Sequence, residues 1–173
     1  MLDNSQFSSG PERWSEISDF PDYMVSDRGR VKNLKKDTLL TPSSKGSGLW
    51  MVGLMRDCRQ HKRSLTKLVA DAFVPPHPNE AFDTPINLNG DRGDNHFLNI
   101  MWRPLWFARK YFQQFNDEHM TYHGVLEDVE THLTYDGSMS AAIHHGLLDH
   151  EIVVSMQHNT YVWPTGQIFR KAA

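Results

Sequence analysis

The fold of this protein is decided by the segment Ile86-Asn87-Leu88-Asn89-Gly90-Asp91-Arg92-Gly93-Asp94-Asn95-His96-Phe97-Leu98-Asn99-Ile100-Met101-Trp102. Its two ends are short and rich in apolar residues, whereas its middle is dense in Asn, Asp and Gly. Gly90 and Gly93 can adopt positive φ, and Asn and Asp side chains can bond their own backbone. The segment therefore predicts two short strands joined by a loop that its own polar side chains hold together.

The composition limits the class of protein. The chain has 173 residues, of which 39% are hydrophobic and 23% charged, and this predicts one large domain or two or three small modules. No run of about 18 apolar residues occurs, so no membrane-spanning helix is expected. The polar, acidic start lacks the features of a secretion signal. A single cysteine, Cys58, excludes an internal disulfide and a multi-cysteine zinc site, and a reducing cytoplasm is the expected location.

Positive charge is concentrated in one part of a chain whose net charge is −3. Between Arg28 and Lys67 there are 11 Lys and Arg residues, against only Asp37 and Asp57. A basic block this dense predicts a surface that contacts phosphates. The alternative is that acidic segments fold beside the block and neutralise it.

The first half of the chain predicts a disordered start at residues 1–12 and then, at 13–74, a small antiparallel β module with a basic surface and a short helix. The apolar periodicity and the turn residues predict its elements. These are strands at Tyr23–Ser26, Arg30–Leu34, Thr38–Thr41 and Leu49–Met55, a tight turn at Asp27–Gly29, a flexible loop at 43–48 and a helix at Leu65–Phe73.

The second half predicts a finger with its helix at 75–116, a linker at 117–124 and a helix-turn-helix-like module at 125–173. Pro104 suits the first turn of the finger's helix. In the last module one strand is expected within Glu127–Tyr135, followed by two helices that Ser138 and Asp149 cap. In the linker, His119 and His123 stand four residues apart with no further ligand, so they are expected to be solvated.

These segments, in this order, resemble the HNH homing endonucleases of phages and introns. The resemblance covers about residues 13–171 and rests on several groups of residues. They are Phe20–Asn33, Thr66–Phe73, the finger residues Gly90, Asn95, Asn99, Ile100 and Trp102, and the closing Gly166–Arg170.

The resemblance implies an α+β fold with three modules: a small N-terminal antiparallel β module, a ββα-metal (HNH-like) finger and a C-terminal helix-turn-helix. It also implies that the partner is double-stranded DNA and that the protein is phage-encoded and works in a bacterial cytoplasm. Oligomeric state and target sequence do not follow from it.

The chain departs from the family at the positions that carry the chemistry. In the family an Asp and a helix residue, often Asn, bind a divalent metal, and a His is the general base. By the resemblance these positions are Ile86, Ala108 and Asn87. An amide cannot accept a proton near pH 7, and Ile and Ala have no ligand atom. We therefore expect DNA binding in a regulatory or accessory role, without cleavage, metal or cofactor.

Two alternatives remain open from the sequence. Asp91, Asp94 and His96 could hold Mg²⁺ or Mn²⁺ in a rearranged site of an active nicking enzyme, although such residues more commonly cap their own loop. The chain could also be a protein-binding adaptor derived from a nuclease, which its acidic C-terminal third favours.

DNA contacts are expected from the cations of the basic block, from two arginines beside and within the finger's helix, and from one amide in the last helix. These residues are Arg28, Arg30, Lys32, Lys35, Lys36, Lys45, Arg59, Lys62, Arg63, Lys67, Arg103, Arg109 and Gln157.

Overall fold

The computed structural model describes residues 10–44, 46 and 48–172. Most of the segment predicted to be disordered, and Lys45, lie outside the described residues. The described residues form a mixed α/β structure with small antiparallel sheets and four α-helices, and the chain divides into two compact units. Unit 1 comprises Met1–Pro76 and Arg92–Ile100, and unit 2 comprises His77–Asp91 and Met101–Ala173. In the described part of the chain, no helix combines the length and apolar character that crossing a bilayer requires.

Unit 1 begins with a four-stranded antiparallel sheet whose strands follow one another in chain order. The strands are β1 (Trp14–Ile17), β2 (Phe20–Ser26), β3 (Val31–Asn33) and β4 (Thr38–Leu39). The predicted turn between β2 and β3 is confirmed, with Gly29 at φ +78°. A Cβ at Gly29 would lie 2.7 Å from the Asn95 Cβ, so both the φ angle and the packing require glycine there.

A three-stranded sheet and a helix complete the regular structure of unit 1. The sheet contains β5 (Ser43–Ser44), β6 (Trp50–Arg56) and β7 (Arg59–Ser64), and the helix is α1 (Leu65–Phe73). α1 is confirmed, and the Ser64 hydroxyl caps it by accepting the Lys67 amide proton. Two expectations were wrong: Ser43 and Ser44 pair with β6 instead of lying in a flexible loop, and the sequence indicated no strand at β7.

Most of the finger belongs to unit 2. Its strands β8 (Thr84–Asn87) and β9 (Ile100–Arg103) pair, a 3-10 helix at Phe97–Asn99 precedes β9, and helix α2 (Leu105–Gln113) follows. Pro104 occupies the N-cap position, one residue before the first turn. The predicted order of strand, loop, strand and helix is therefore present.

The C-terminal part of unit 2 packs two helices against a three-stranded sheet of order β11-β10-β12. Its elements are β10 (Val125–Asp128), β11 (Thr134–Asp136), α3 (Ser138–His145), α4 (Asp149–His158) and β12 (Phe169–Lys171). The two predicted helices are present, whereas three strands occupy a module for which one was expected. Gly146, at φ +63°, ends α3.

The predicted caps of α3 and α4 were wrong. Gly137 and Leu148 occupy the N-cap positions, and neither forms a side-chain cap bond. Ser138 instead accepts the Tyr122 amide proton at 2.8 Å. The Asp149 carboxylate lies 2.8 Å from His119 Nε2, and the His119 side chain is 20% exposed, so the expectation that it is solvated was also wrong.

Unit 2 has two apolar cores. The finger core, as we call the first, consists of Ile86, Phe107, Ala108, Tyr111 and Leu148. The second lies between the C-terminal sheet and its helices and consists of Leu126, Tyr135, Ala141, Ala142, Leu147, Ile152, Val162 and Phe169. Leu148 comes from the turn between α3 and α4, so the finger and the C-terminal helices share a core.

Candidate active site and nucleic-acid surface

The end of strand β8 carries Ile86 and Asn87, the positions at which the resemblance implies a metal ligand and a general base. Ile86 is fully buried and belongs to the finger core together with Ala108 from α2. Both positions expected to replace metal ligands therefore lie in one apolar cluster. Their side chains present carbon and hydrogen only, so the space between β8 and α2 is filled by hydrophobic packing.

Asn87 occupies the position where the resemblance implies a general base. It is the last residue of β8 and is 1% exposed. Its carbonyl oxygen accepts the Gly90 amide proton at 3.0 Å, and this bond closes the turn that begins the finger loop. Nearby, the Tyr111 hydroxyl donates to the Leu88 carbonyl at 2.6 Å, and burial raises the pKa of Tyr111. The phenol therefore stays protonated and acts as a structural donor, not as a base.

Two of the loop residues named as alternative ligands, Asp94 and His96, accept hydrogen bonds from the loop backbone. Asp94 accepts the His96 amide proton at 3.3 Å, and His96 Nδ1 accepts the Leu98 amide proton at 3.3 Å, which caps the 3-10 helix. The Asp91 amide donates to Asn89 Oδ1 at 3.0 Å. These contacts are those of a self-capped Asx loop.

Asn95 fastens this loop to helix α1 within unit 1. Its amide oxygen accepts a hydrogen bond from the Thr66 hydroxyl at 2.6 Å, and its amide nitrogen donates to the carbonyls of Arg92 and Gly93. Thr66 therefore contributes a buried structural bond.

The residues present do not fit a divalent cation at the finger. Mg²⁺ and Mn²⁺ require several oxygen or nitrogen ligands, commonly carboxylates. Ile86 and Ala108 supply none. Across residues 10–44, 46 and 48–172, no group of three or more His, Cys, Asp and Glu side chains is placed to hold a metal ion.

Part of the basic block is paired with acidic side chains, as in the alternative that acidic segments neutralise the block. Five of its cations form ion pairs with carboxylates, and all five pairs include at least one exposed side chain. The pairs are Arg30–Glu12, Lys32–Asp37 (2.5 Å), Lys35–Asp22 (2.6 Å), Arg56–Asp57 (3.9 Å) and Lys67–Asp71 (2.5 Å). Exposed pairs of this kind are worth only about 0–1 kcal/mol, so a phosphate can compete for the cation.

The hairpin formed by β6 and β7 carries cations that are not paired in this way. Arg59 and Lys62 are exposed, and Arg63 is half-buried over the Phe20 ring, 5.1 Å from its centroid. None of these three cations forms an ion pair with a carboxylate among the residues that the structure describes. We call Arg59, Lys62 and Arg63 the basic hairpin, and it is the strongest candidate for a phosphate-binding surface.

The other predicted DNA contacts differ in accessibility. Arg28 and Lys36 are exposed in unit 1, and Arg28 donates to the Gly10 carbonyl at 2.6 Å. Arg109 and Gln157 are exposed in unit 2. The expectation for Arg103 was wrong, because its guanidinium is buried and donates to backbone carbonyls.

Arg103 instead joins β9 to the end of α3. It donates to the carbonyls of Trp102 (2.9 Å), His145 (2.8 Å) and Gly146 (3.1 Å). Burial lowers its pKa to about 10, which still leaves it charged at neutral pH. The last two carbonyls lie at the C-terminal end of α3, where the helix dipole favours a positive charge.

Comparison with known proteins confirms the expected resemblance. A family model described as the NUMOD4 motif, which is found in HNH endonucleases, matches residues 12–54. An uncharacterized HNH endonuclease, L247, of Acanthamoeba polyphaga mimivirus is 33% identical over 97 residues. That match covers 55% of this chain and 24% of the relative, so the chain spans about a quarter of the curated protein's length.

The fold matches a solved structure along most of the chain. That structure is of the HNH homing endonuclease I-HmuI and concerns its DNA binding and cleavage. It superposes with a TM-score of 0.54 at 15% sequence identity, covering 92% of this chain and 98% of that chain. This chain therefore has an HNH homing endonuclease-like fold.

Proposed function

We propose that this chain binds double-stranded DNA through its HNH-like scaffold and does not cleave it, so that its role is regulatory or accessory. The observation that carries the proposal is the finger core. Ile86 and Ala108, which replace the metal-ligand positions by resemblance, pack into the same apolar cluster. The general-base position beside them is the buried amide of Asn87.

Hydrolysis of a phosphodiester by a one-metal finger needs a base for the water and a cation for the scissile oxygens. Asn87 cannot act as that base, and losing a general base lowers a rate by about a hundredfold or more. A cation placed against Ile86 and Ala108 would lose its hydration without gaining ligands, which is strongly unfavourable. Both requirements therefore fail at the same place.

DNA binding is supported by the charge that unit 1 leaves available. The basic hairpin has no carboxylate partner among the described residues, so its cations can release condensed counterions from a duplex without first breaking an ion pair. I-HmuI, whose fold this chain shares, is described as binding DNA. For this chain we therefore propose DNA binding but not DNA cleavage.

A gel shift with duplex DNA across a salt series tests the binding half of the proposal. We expect a complex whose affinity falls steeply as salt rises, with a log–log slope set by the number of phosphate contacts. Adding Mg²⁺ should weaken binding only as an added salt does. If the affinity were unmeasurable at low salt, DNA would not be the partner.

A further inference from the structure

Unit 2 exposes an aromatic surface that the proposed function does not use. Trp106 is 51% exposed, Trp163 41% and Tyr161 77%. The ring centroids of Trp106 and Trp163 lie 4.9 Å apart, and Tyr161 lies two residues before Trp163 in the chain. We call these three residues the aromatic platform. The two indole rings are adjacent, and contiguous exposed apolar surface marks an interaction site.

Buried neighbours hold the two indole rings in place. The Trp163 centroid lies 5.3 Å from that of Phe107 and 5.7 Å from that of Phe82, and both phenyl rings are buried. Trp106 packs edge-on against Phe107 at 5.7 Å. Because the rings are already ordered, a ligand that stacks on them costs little side-chain entropy.

The charge beside the platform indicates an anionic ligand. Helix α2 contains no acidic residue, and it exposes Arg109 and Lys110. Lys110 Nζ lies 5.6 Å from the Trp106 ring centroid. Neither cation forms an ion pair with a carboxylate in the described ranges of the chain. The surface therefore offers flat π faces next to two cations, of which Lys110 also interacts electrostatically with Glu151.

We propose that the aromatic platform binds unpaired bases of a nucleic-acid strand, with bases stacked on Trp106 and Tyr161 and phosphates near Lys110 and Arg109. Aromatic faces beside cations are the combination that single-strand binding surfaces use. An intact duplex keeps its base faces stacked, so it cannot engage the platform. The platform belongs to unit 2 and the basic hairpin to unit 1, and the proposal does not depend on cleavage or on duplex binding.

Tryptophan fluorescence of the full chain, titrated with a short single-stranded oligonucleotide and with the same sequence as a duplex, tests this proposal. We expect saturable quenching by the single strand. Trp106→Ala and Tyr161→Ala should each weaken single-strand binding about tenfold, because each variant loses the stacking of one base. The affinity of Trp106→Ala for intact duplex should stay within about twofold of wild type.

Leu105→Ala is the matched control, because Leu105 adjoins Trp106 on α2 and is 53% exposed but has no ring. Base stacking predicts unchanged single-strand affinity in this variant. An equal loss in Leu105→Ala and Trp106→Ala would overturn the proposal, because general apolar contact and not base stacking would then hold the strand. Absence of saturable single-strand binding would also overturn it.

Two further readouts keep the result interpretable. Tyr161 is the most exposed member of the platform, so Tyr161→Ala should melt at the wild-type temperature and separates stacking from folding. A wild-type chain that binds single strands but no duplex would contradict the proposed function while supporting the platform. Duplex binding without single-strand binding would support the proposed function and contradict the platform.

Discussion

At the scale of single residues, the account depends on what surrounds Ile86. Its side chain is fully buried against Ala108, Phe107 and Leu148. A hydrocarbon side chain at this position adds to stability, whereas a ligand would need water or a cation beside it. Substitution at Ile86 therefore separates a packed core from a cation pocket.

We expect Ile86→Asp to lower the free energy of unfolding by about 3 kcal/mol or more, because it buries a carboxyl group in the finger core. Ile86→Val, the matched control, should cost about 0.5–1.5 kcal/mol. Urea unfolding at neutral pH measures both. If Ile86→Asp were as stable as wild type and Mn²⁺ stabilised it further, the finger would have room for a cation.

Arg103 shows how a residue that looks like a phosphate contact in the sequence serves the fold instead. Arg103→Ala leaves buried carbonyls of β9 and α3 without donors, so we expect a loss of about 2–4 kcal/mol in unfolding free energy. Arg109→Ala, on the exposed face of α2, should change it by less than about 0.5 kcal/mol. Equal stabilities in thermal unfolding would show that the Arg103 contacts are dispensable.

His145 gives the fold a dependence on pH. Burial, and to a smaller extent the neighbouring His144, lower the pKa of His145 from 6.5 to about 4, whereas the Asp128 carboxylate acts in the opposite direction. The Nε2 atom of His145 lies 2.7 Å from the Tyr135 hydroxyl. Below pH 6.5, His145 binds a proton in the unfolded chain but stays neutral in the folded chain. The free energy of unfolding should therefore fall as the pH is lowered from 6.5 to 4.

His145→Gln should make stability depend less on pH between 6.5 and 4. His144→Gln, which changes the exposed neighbour, should leave most of that pH dependence in place. Urea midpoints measured at several pH values between 4 and 7 would show the difference. Identical profiles for wild type and His145→Gln would mean that His145 titrates normally in the folded chain.

At the scale of elements, helices and tight turns could be predicted from the sequence, whereas polar strands could not. Helix α1 shows apolar residues at helical spacing, and the turn at Gly29 carries the required residue type. Strand β7 reads Arg-Gln-His-Lys-Arg-Ser and has no apolar alternation. Its inward face is His61 and Arg63, which lie near the Phe20 ring, so long polar side chains cover the core there.

The capping errors have a similar cause. Ser138 and Asp149 are favourable cap residues by type, yet each forms a tertiary bond that no local pattern reveals. Ser138 accepts from the Tyr122 amide, and Asp149 accepts from the Thr121 hydroxyl at 2.6 Å. In both cases a hydrogen bond to a residue distant in the sequence, and not the local pattern, determines the role of the side chain.

The basic hairpin is the element that we expect to contribute most to duplex affinity. The double variant Arg59→Gln/Lys62→Gln should weaken duplex binding and reduce the log–log salt slope by up to about 2, because each lost phosphate contact removes about 0.9. A filter-binding salt series measures the slope.

The matched control removes the same charge elsewhere in unit 1. In Lys32→Gln/Lys35→Gln both cations already pair with Asp37 and Asp22, so the loss should be smaller. Equal losses in the two double variants would mean that only the total charge matters. An unchanged slope in the hairpin variant would remove the hairpin from the interface.

At the scale of the whole molecule, the order of segments could be predicted and their division into compact units could not. The structure assigns the loop Arg92–Ile100 to unit 1 and the rest of the finger to unit 2. The loop joins unit 1 through contacts such as Asn95 with Thr66, which lie 29 positions apart. The predicted domain boundaries at 13–74, 75–116 and 125–173 stay predictions.

The candidate site, too, could be predicted from the sequence only in part. The resemblance identified Ile86, Asn87 and Ala108 as the informative positions, because a residue type can be compared with a motif. It could not show that two of them pack together with Leu148 from the C-terminal helices. The aromatic platform also escaped prediction, since Trp106 and Trp163 are far apart in the chain and aromatic residues are more commonly buried.

The central claim, binding without cleavage, is tested most directly by incubating supercoiled plasmid with wild-type protein at concentrations where a gel shift shows it fully bound, with Mg²⁺ or Mn²⁺. We predict that the plasmid stays supercoiled over hours and that Asn87→Ala behaves identically. Nicked plasmid that depends on the metal, disappears with a chelator and follows the protein through purification would contradict the claim.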